Sequence, residues 1–283
     1  MKTFADNVVE WWGEEGRRWL HDLPDQIERV AAKHGLRDIR AVSALSFNWV
    51  GYAKRTDGEP VVLKICFPRD EARDEMTALR AFGGRGSVDL LAADPEERLM
   101  ILERLDPGTT LAEIDDAQAT DVAAKLAVEL HKATPDPELR TLYDWCRALR
   151  VGCRLPGIDN AKMRLKKIES TVQREVLLHG DLHQYNILRA TRAPWVSIDP
   201  KGIVGDPAFE AAMFLHNELE EDFVGQLMRR AAVFGEALQC GSGRVLEWTF
   251  LQSMLSACWA VENGSEPTAD LAHAAAVQRA LDA

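Results

Sequence analysis

LLHGDLHQYNIL (177–188), followed by VSIDP (196–200), is the stretch on which this chain turns. Two leucines lead into His179, Gly180 and Asp181; Asn186 stands five residues past that aspartate, and Asp199 closes a second apolar run. NILRA and WVSID read as a short hairpin directly after the motif, so a turn would carry Asp181 and the end of the second strand would carry Asp199. Asp181 can accept a hydroxyl proton. Asn186 offers a neutral hard oxygen, and Asp199 a charged one, to a magnesium ion. An Asp-x-x-x-x-Asn spacing followed by strand–turn–strand–Asp is the arrangement of a phosphoryl-transfer centre. Alone, the first spacing is common; alternatively, the stretch is a polar loop between packed elements.

The other half of the chain supplies what the motif lacks. In PVVLKIC (60–66), Lys64 is the single charge of an apolar strand, on the same face as Val62 and Cys66. A buried lysine is costly unless paired, and Glu75, in the helix that follows, is a suitable counter-ion. So held, Lys64 would reach the α- and β-phosphates of a nucleotide. The competing reading leaves Lys64 snorkelling at a strand edge and Glu75 solvated.

Around these residues the pattern divides the chain. Val8, Trp12, Trp19 and Leu23 mark one helical stripe, and Pro24–Asp25 opens a second helix ending near Gly35. AVSALSF, WVGYAKR and PVVLKIC read as three successive strands, the last two joined by the turn TDGE. A helix over about Asp70 to Phe82 follows, then two strands, VDLLAA and RLMILERL. Gly83, Gly84 and Gly86 form a turn after that helix. LDPGTT (105–110) stops the strand and acts as a hinge. Beyond it the pattern is helical (DAQATDVAAKLAVELHKA, PDPELRTLYDWCRALR, NAKMRLKKIESTVQREV and four later helices), with NILRA and WVSID as its only strands. The expected domains are 1–104 and 105–283: a small β-rich half of about five antiparallel strands and one helix, and a larger helical half.

Composition narrows the partners. At 283 residues the chain exceeds most single cores. Its net charge of −11 argues against nucleic acid or an anionic membrane as a partner and suits a cationic small molecule, although solubility alone would also explain it. The five cysteines form no Cys-x-x-Cys pair, which argues against a disulfide framework or a zinc site and fits a reducing cytoplasm. No stretch has signal-peptide or membrane-spanning character. The eight tryptophans are scattered and read as packing residues.

Taken together, HGDLHQYNIL, IDPKGIVGDPAFE and ILERLDPGTTL resemble the aminoglycoside phosphotransferase family, relatives of protein kinases, and within it the streptomycin 6-phosphotransferases and hydroxyurea phosphotransferases. The resemblance runs from about Ser43 to about Gly264. It implies a protein-kinase-like two-lobed fold of the α+β class, with Asp181 as catalytic base, Asn186 and Asp199 as Mg2+ ligands, and Lys64 with Glu75 as phosphate anchor. ATP or GTP would be the phosphoryl donor. Backbone groups of Glu103, Arg104 and Leu105 would meet the purine, and Asp206 would brace the catalytic loop. No G-x-G-x-x-G precedes the Lys64 strand; Ser46, Asn48 and Gly51 would line a phosphate loop there, made bulky by Trp49. The D-F-G sequence is replaced by Asp199-Pro200-Lys201-Gly202, and no activation segment follows, which disfavours a protein substrate.

His179 and His183 read as loop-bracing residues in preference to metal ligands, and His131 as a helix C-terminal residue without chemistry. Glu218, Glu220, Glu221 and Asp222, with Glu262, are candidates to bind the ammonium or guanidinium groups of an acceptor; the alternative is a solvated acidic face. The expected acceptor is a streptomycin-like aminocyclitol aminoglycoside, with hydroxyurea, another antibiotic or a hydroxyl-bearing metabolite as alternatives. A nucleotide-binding regulator without catalysis has no chemical need of Lys64, Glu75, Asp181, Asn186 and Asp199 together.

Overall fold

The computed structural model describes residues 3–43, 45–217 and 223–282. The chain forms two units, 1–76 with 88–105 and 77–87 with 106–283. A single cut in the sequence cannot express this division, because residues 77–87 pack with the second unit. Ala78 and Phe82 enter its core, and the Arg192 guanidinium donates to the carbonyls of Gly84 and Ser87 at 2.9 and 2.7 Å.

In the first unit α1 (Phe4–His34) begins with a Thr3/Asp6 capping box and ends at Gly35 in the left-handed conformation, as its position predicts. The expected second start at Pro24 is not found. Helix runs through Pro24, and the break lies at Gly13, whose φ of 52° and ψ of −125° only glycine adopts readily. A five-stranded antiparallel sheet follows in the order β1 (Arg37–Ala41), β2 (Trp49–Lys54), β3 (Pro60–Ile65), β5 (Leu99–Glu103), β4 (Leu90–Asp94). The strand expected over AVSALSF lies earlier, at 37–41, and is mostly exposed. Its place comes from pairing with β2 rather than from an apolar alternation of its own.

Period-two alternation in β3 separates its two faces. Val61, Leu63 and Ile65 join the core built with Val8, Trp19, Leu23 and Val30 of α1, where Phe67 stacks on Trp12 at 3.7 Å between ring centroids. Lys64 faces the other way, toward α2 (Glu71–Phe82). Trp11 is half exposed, its ring meeting that of Phe47 edge-on at 5.0 Å.

The second unit holds α3 (Asp116–Leu130), capped by Asp115, then α4 (Leu142–Trp145), α5 (Arg147–Arg150) and α6 (Ile158–Glu169). PDPELRTLYDWCRALR therefore gives two single-turn helices, not one long one; Thr141 caps the first and Cys146 breaks the run. Last come α7 (Glu210–His216), α8 (Phe223–Ala237), α9 (Ser242–Glu262) and α10 (Thr268–Asp282). The hairpin of β9 (Ile187–Ala190) and β10 (Val196–Ser197) forms as predicted, Leu188 opposite Val196. It is not the only strand pair here. β6 (Pro107–Thr110) adds to β9, and β7 (Arg140–Thr141), β11 (Ile203–Gly205) and β8 (Val176–Leu178) form a second small sheet. Two or three residues long, β7, β8 and β11 carry too little period to read from sequence.

Phe209, Phe214, Phe234 and Trp248 fill the helical core. Cys153 and Cys258 are joined by a disulfide, which corrects the expectation drawn from the cysteine pattern. They stand 105 residues apart, so no local spacing marks the pair. Among the described residues no helix is long and apolar enough to cross a membrane.

Candidate active site

β8 delivers His179, fully buried, into the turn that carries Asp181. His179 Nε2 lies 2.8 Å from the carbonyl of Ile198, which can only accept, so Nε2 carries the proton. Nδ1 is then the acceptor of the Asp181 N–H, at 3.3 Å. Burial lowers the pKa of His179 against the pull of Glu210 and Asp181, in keeping with a neutral ring. Gly180 has a φ of +77°, and a Cβ there would lie 2.8 Å from Ile203 Cδ1; both the angle and the close approach require glycine.

The loop is tied to the hairpin at each residue singled out in the sequence. The Asn186 Nδ2 donates to the carbonyl of Asp181 at 3.0 Å, and the Ile198 N–H donates to the carbonyl of Asn186 at 2.9 Å. Asp199 follows with a φ of 59°, rare for a residue with a side chain. Such a conformation costs about 1–3 kcal/mol and concentrates at functional sites. Lys201 returns to the loop, its N–H donating to the carbonyl of His179 at 2.7 Å. Asp181 and Asn186 are thus bound to each other, and the residues on either side of Asp199 are tied to the same loop.

Their donor set fits magnesium. With Nδ2 of Asn186 engaged by a carbonyl, its amide oxygen is the remaining ligand atom, and Asp199 supplies a carboxylate. Mg2+ on a nucleotide takes one or two protein oxygens and completes its shell with phosphates and water. Among the described residues no group of three His, Cys, Asp or Glu side chains is placed to hold a metal by itself.

The Asp181 carboxylate has two basic neighbours: Lys201 Nζ 3.1 Å from Oδ2, and His183 Nε2 3.7 Å from Oδ1. His183 also caps the next turn, its Nδ1 accepting the N–H of Tyr185 at 3.2 Å. Within IDPKG the sequence pattern gives Lys201 no role, and its reach to Asp181 is a finding of the structure. Glu210, the last residue of GDPAFE, is a second. Buried, it accepts the N–H groups of His179 and Gly180 at 2.8 and 2.9 Å and lies 3.1 Å from His131 Nε2. The brace on the turn that carries Asp181 is therefore Glu210. Asp206, expected in that role, instead accepts from Arg244 Nε and Trp248 Nε1 of α9, both at 2.7 Å, and from the N–H of Ala208. Its position as an N-terminal cap before α7 could be read from Asp-Pro, but its partners could not.

In the first unit Lys64 and Glu75 form a closed pair. Nζ lies 2.7 and 2.8 Å from the two carboxylate oxygens, with side chains 3% and 8% exposed. The Asn48 Oδ1 accepts the N–H of Phe67 at 3.0 Å, and the carbonyl of Ser46 accepts from Asn7 at 3.3 Å, so both residues have structural partners. Trp49 does not fill a loop: it is buried, and its ring lies against Gly51, where a Cβ would sit 2.5 Å from Cη2. Glu103 pairs with Val61 in the sheet, and its N–H donates to the carbonyl of Asp89 at 3.0 Å; Leu105 is half-buried beyond it. Of the candidate acceptor residues, Glu262 is exposed in the last turn of α9, whereas Glu218, Glu220, Glu221 and Asp222 lie outside the described residues.

Comparison with known proteins bears on this arrangement. A family described as aminoglycoside/hydroxyurea antibiotic resistance kinase matches residues 39–264. Streptomycin 6-kinase of Streptomyces griseus is 34% identical over 276 residues, covering 92% of this chain and 90% of that protein. Hydroxyurea phosphotransferase of Kitasatospora aureofaciens is 32% identical over 273 residues, covering 90% and 78%. Among solved structures, an amicoumacin kinase in complex with AMP-PNP, Ca2+ and its ligand superposes with a TM-score of 0.68 at 13% identity, covering 95% of this chain and 96% of that one. A choline/ethanolamine kinase family protein of Mesorhizobium loti gives 0.66 at 16% identity, covering 91% and 95%. The fold is that of the protein-kinase-like small-molecule kinases.

Proposed function

The chain belongs to the aminoglycoside/hydroxyurea antibiotic resistance kinase family, and from that premise we propose that it transfers the γ-phosphoryl group of ATP (or GTP) to a hydroxyl of a streptomycin-like aminocyclitol aminoglycoside. The observation that carries the reading is the bond from Asn186 to Asp181, with Asp199 held next to it between Ile198 and Lys201, both tied to the same loop. Similarity to two streptomycin 6-kinases, each 34% identical, favours the acceptor. The net charge of −11 is compatible with a polycation.

In this reading Asp181 takes the proton of the acceptor hydroxyl as its oxygen attacks the γ-phosphorus and ADP departs. Asn186 and Asp199 hold Mg2+, which when bound neutralises charge on the phosphates. Glu75 keeps Lys64 extended and charged for the α- and β-phosphates. Ser46 and Asn48 line the phosphate loop, and backbone groups of Glu103 and Leu105 meet the purine. Asp206 is a support, not a reactant. Glu218, Glu221, Asp222 and Glu262 are the acids proposed for the cationic groups of the acceptor, and the cytoplasm is the proposed location. The second reading, phosphorylation of hydroxyurea, is favoured by the 32% identity to a hydroxyurea phosphotransferase.

Turnover of Mg·ATP against streptomycin, other aminoglycosides, hydroxyurea and simple amino alcohols tests the proposal, with Asp181→Asn as control. Mass gain of one phosphate on streptomycin, with nearly all turnover lost in Asp181→Asn and nucleotide binding retained, is the expected result. Gain on hydroxyurea alone selects the second reading, and activity retained in Asp181→Asn removes the base assignment.

A further inference from the structure

We propose that Lys201 is a catalytic residue of the phosphoryl-transfer step, its ammonium stored against Asp181 and handed to the phosphoryl group in flight. The proposal rests on Asp181 being the base. Lys201 Nζ stands 3.1 Å from Asp181 Oδ2. Its backbone is not a free loop: the N–H is bonded to the carbonyl of His179 at 2.7 Å. The Lys201 Cβ also lies so close to Gly180 that a Cβ on that glycine would sit 3.3 Å away. The root of the side chain is thus fixed to the turn that carries the base, and only the flexible stem and its charge remain to move.

Exposure separates this lysine from Lys64. The Lys64 side chain is 3% exposed, whereas Lys201 and Asp181 are 37% and 18% exposed. An ion pair so open to solvent adds little to stability, so the pair's own contribution to the fold does not account for its place. The reaction does. The acceptor oxygen forms a bond to the γ-phosphorus while its proton passes to Asp181. The bond from γ-phosphorus to the bridging oxygen breaks, and its electron pair leaves on ADP. As Asp181 becomes neutral, its attraction for the ammonium of Lys201 falls, and the equatorial oxygens of the transferring group need a cation within reach of the base. Lys201 gains and loses no bond; its charge moves from a carboxylate to a phosphoryl group. Such stabilisation of developing charge is a major source of rate enhancement.

The test compares wild type, Lys201→Met, Lys201→Arg, Asp181→Asn and the double variant Asp181→Asn/Lys201→Met. Turnover with streptomycin is measured beside affinities for Mg·ATP and for Mg·ADP·fluoroaluminate, a mimic of the transferring phosphoryl group. Lys201→Met is expected to lower kcat about 10²–10³-fold, to change Mg·ATP affinity less than about threefold, and to weaken the fluoroaluminate complex by a factor comparable to the kcat loss. Lys201→Arg, which keeps the charge, should recover part of both. The double variant should turn over more slowly than Asp181→Asn, because a direct contact survives loss of the base. Unchanged fluoroaluminate affinity in Lys201→Met, or a double variant no slower than Asp181→Asn, would overturn the proposal and leave Lys201 as a positioning residue. A wild type that binds Mg·ADP·fluoroaluminate but phosphorylates no aminoglycoside overturns the acceptor assignment, while the affinities still decide the role of Lys201. Wild type that binds no Mg·nucleotide overturns both.

Discussion

Glu210 Oε1 accepts the N–H of Gly180 at 2.9 Å, and Oε2 accepts that of His179 at 2.8 Å, so one buried carboxylate at the start of α7 holds the turn that presents Asp181. Glu210→Ala leaves both N–H groups without acceptors, at about 1–3 kcal/mol each. The variant should melt well below wild type and lose kcat more than KM, since the turn no longer positions Asp181. Burial opposes the charge on Glu210, but the His131 bond and charge and the loop's backbone N–H hold its pKa below 4.5. Its folded pKa being the lower one, Glu210 contributes stability that is complete above 4.5 and lost as pH falls through the folded value. Acid unfolding of Glu210→Gln should therefore be less steep than that of wild type below this pH. Equal melting and kcat in Glu210→Ala would remove the brace.

The Lys64–Glu75 pair separates stability from chemistry. Both side chains are almost wholly buried, so Lys64→Met or Glu75→Leu alone breaks a buried ion pair from one side, at about 3–5 kcal/mol. Lys64→Met/Glu75→Leu removes both of its members. Thermal melts should show the double variant more stable than either single one, while Mg·ATP affinity and turnover stay lost if Lys64 is, as proposed, the cation for the phosphates. A double variant that regains turnover would show that Lys64 serves only the sheet.

What could be read in advance follows from how far apart the partners stand. Asp181, Asn186 and Asp199 lie within one loop and hairpin, so their spacing in sequence is close to their spacing in space. Lys64 could be read because alternation in β3 isolates one charge, and Glu75 because it is 11 residues away on the next helix. Glu210 meets His131 across 79 residues, and Cys153 meets Cys258 across 105; neither leaves a periodic trace. AVSALSF alternates better than RDIRA, yet the ladder with β2 is formed by 37–41 and reaches only the first residues of AVSALSF. Lys201 stood in view within IDPKG, but the positive φ of Asp199 and Gly202 that accompany its return to the loop belongs to the folded chain.

Arg230 carries a structural load in the second unit. Nε and Nη2 donate to Asp116 Oδ1 at 2.9 and 2.6 Å, and Nη1 donates to the carbonyls of Phe214 and Asn217 at 3.0 and 2.6 Å, joining α3, α8 and the end of α7. Arg230→Met removes donors from buried or half-buried acceptors, at about 3–5 kcal/mol. Lys cannot reproduce the fork, so Arg230→Lys should recover only part of the loss in a urea titration. Full recovery by lysine would mean that charge, not geometry, is what this site requires.

His273 sets an acid limit on stability. It is buried in α10, its Nδ1 2.6 Å from Ser253 Oγ and its ring 4.3 Å from that of His216. Burial first, and then the nearby His216, push its pKa down to about 3 from 6.5. The unfolded chain therefore takes this proton at a higher pH than the folded one. The sign follows: stability is complete above 6.5 and erodes as pH falls toward about 3, by up to about 1.4 kcal/mol per pH unit for one proton. Burial lowers the pKa of His216 as well, against the pull of Asp270 at 3.6 Å, so its contribution has the same sign. His273→Gln keeps a polar group for Ser253 and cannot titrate. Urea unfolding at intervals from neutral pH down to about 4 should give wild type the steeper loss, with the variant flatter by up to one proton. Identical slopes would show that His273 takes up its proton in the folded state.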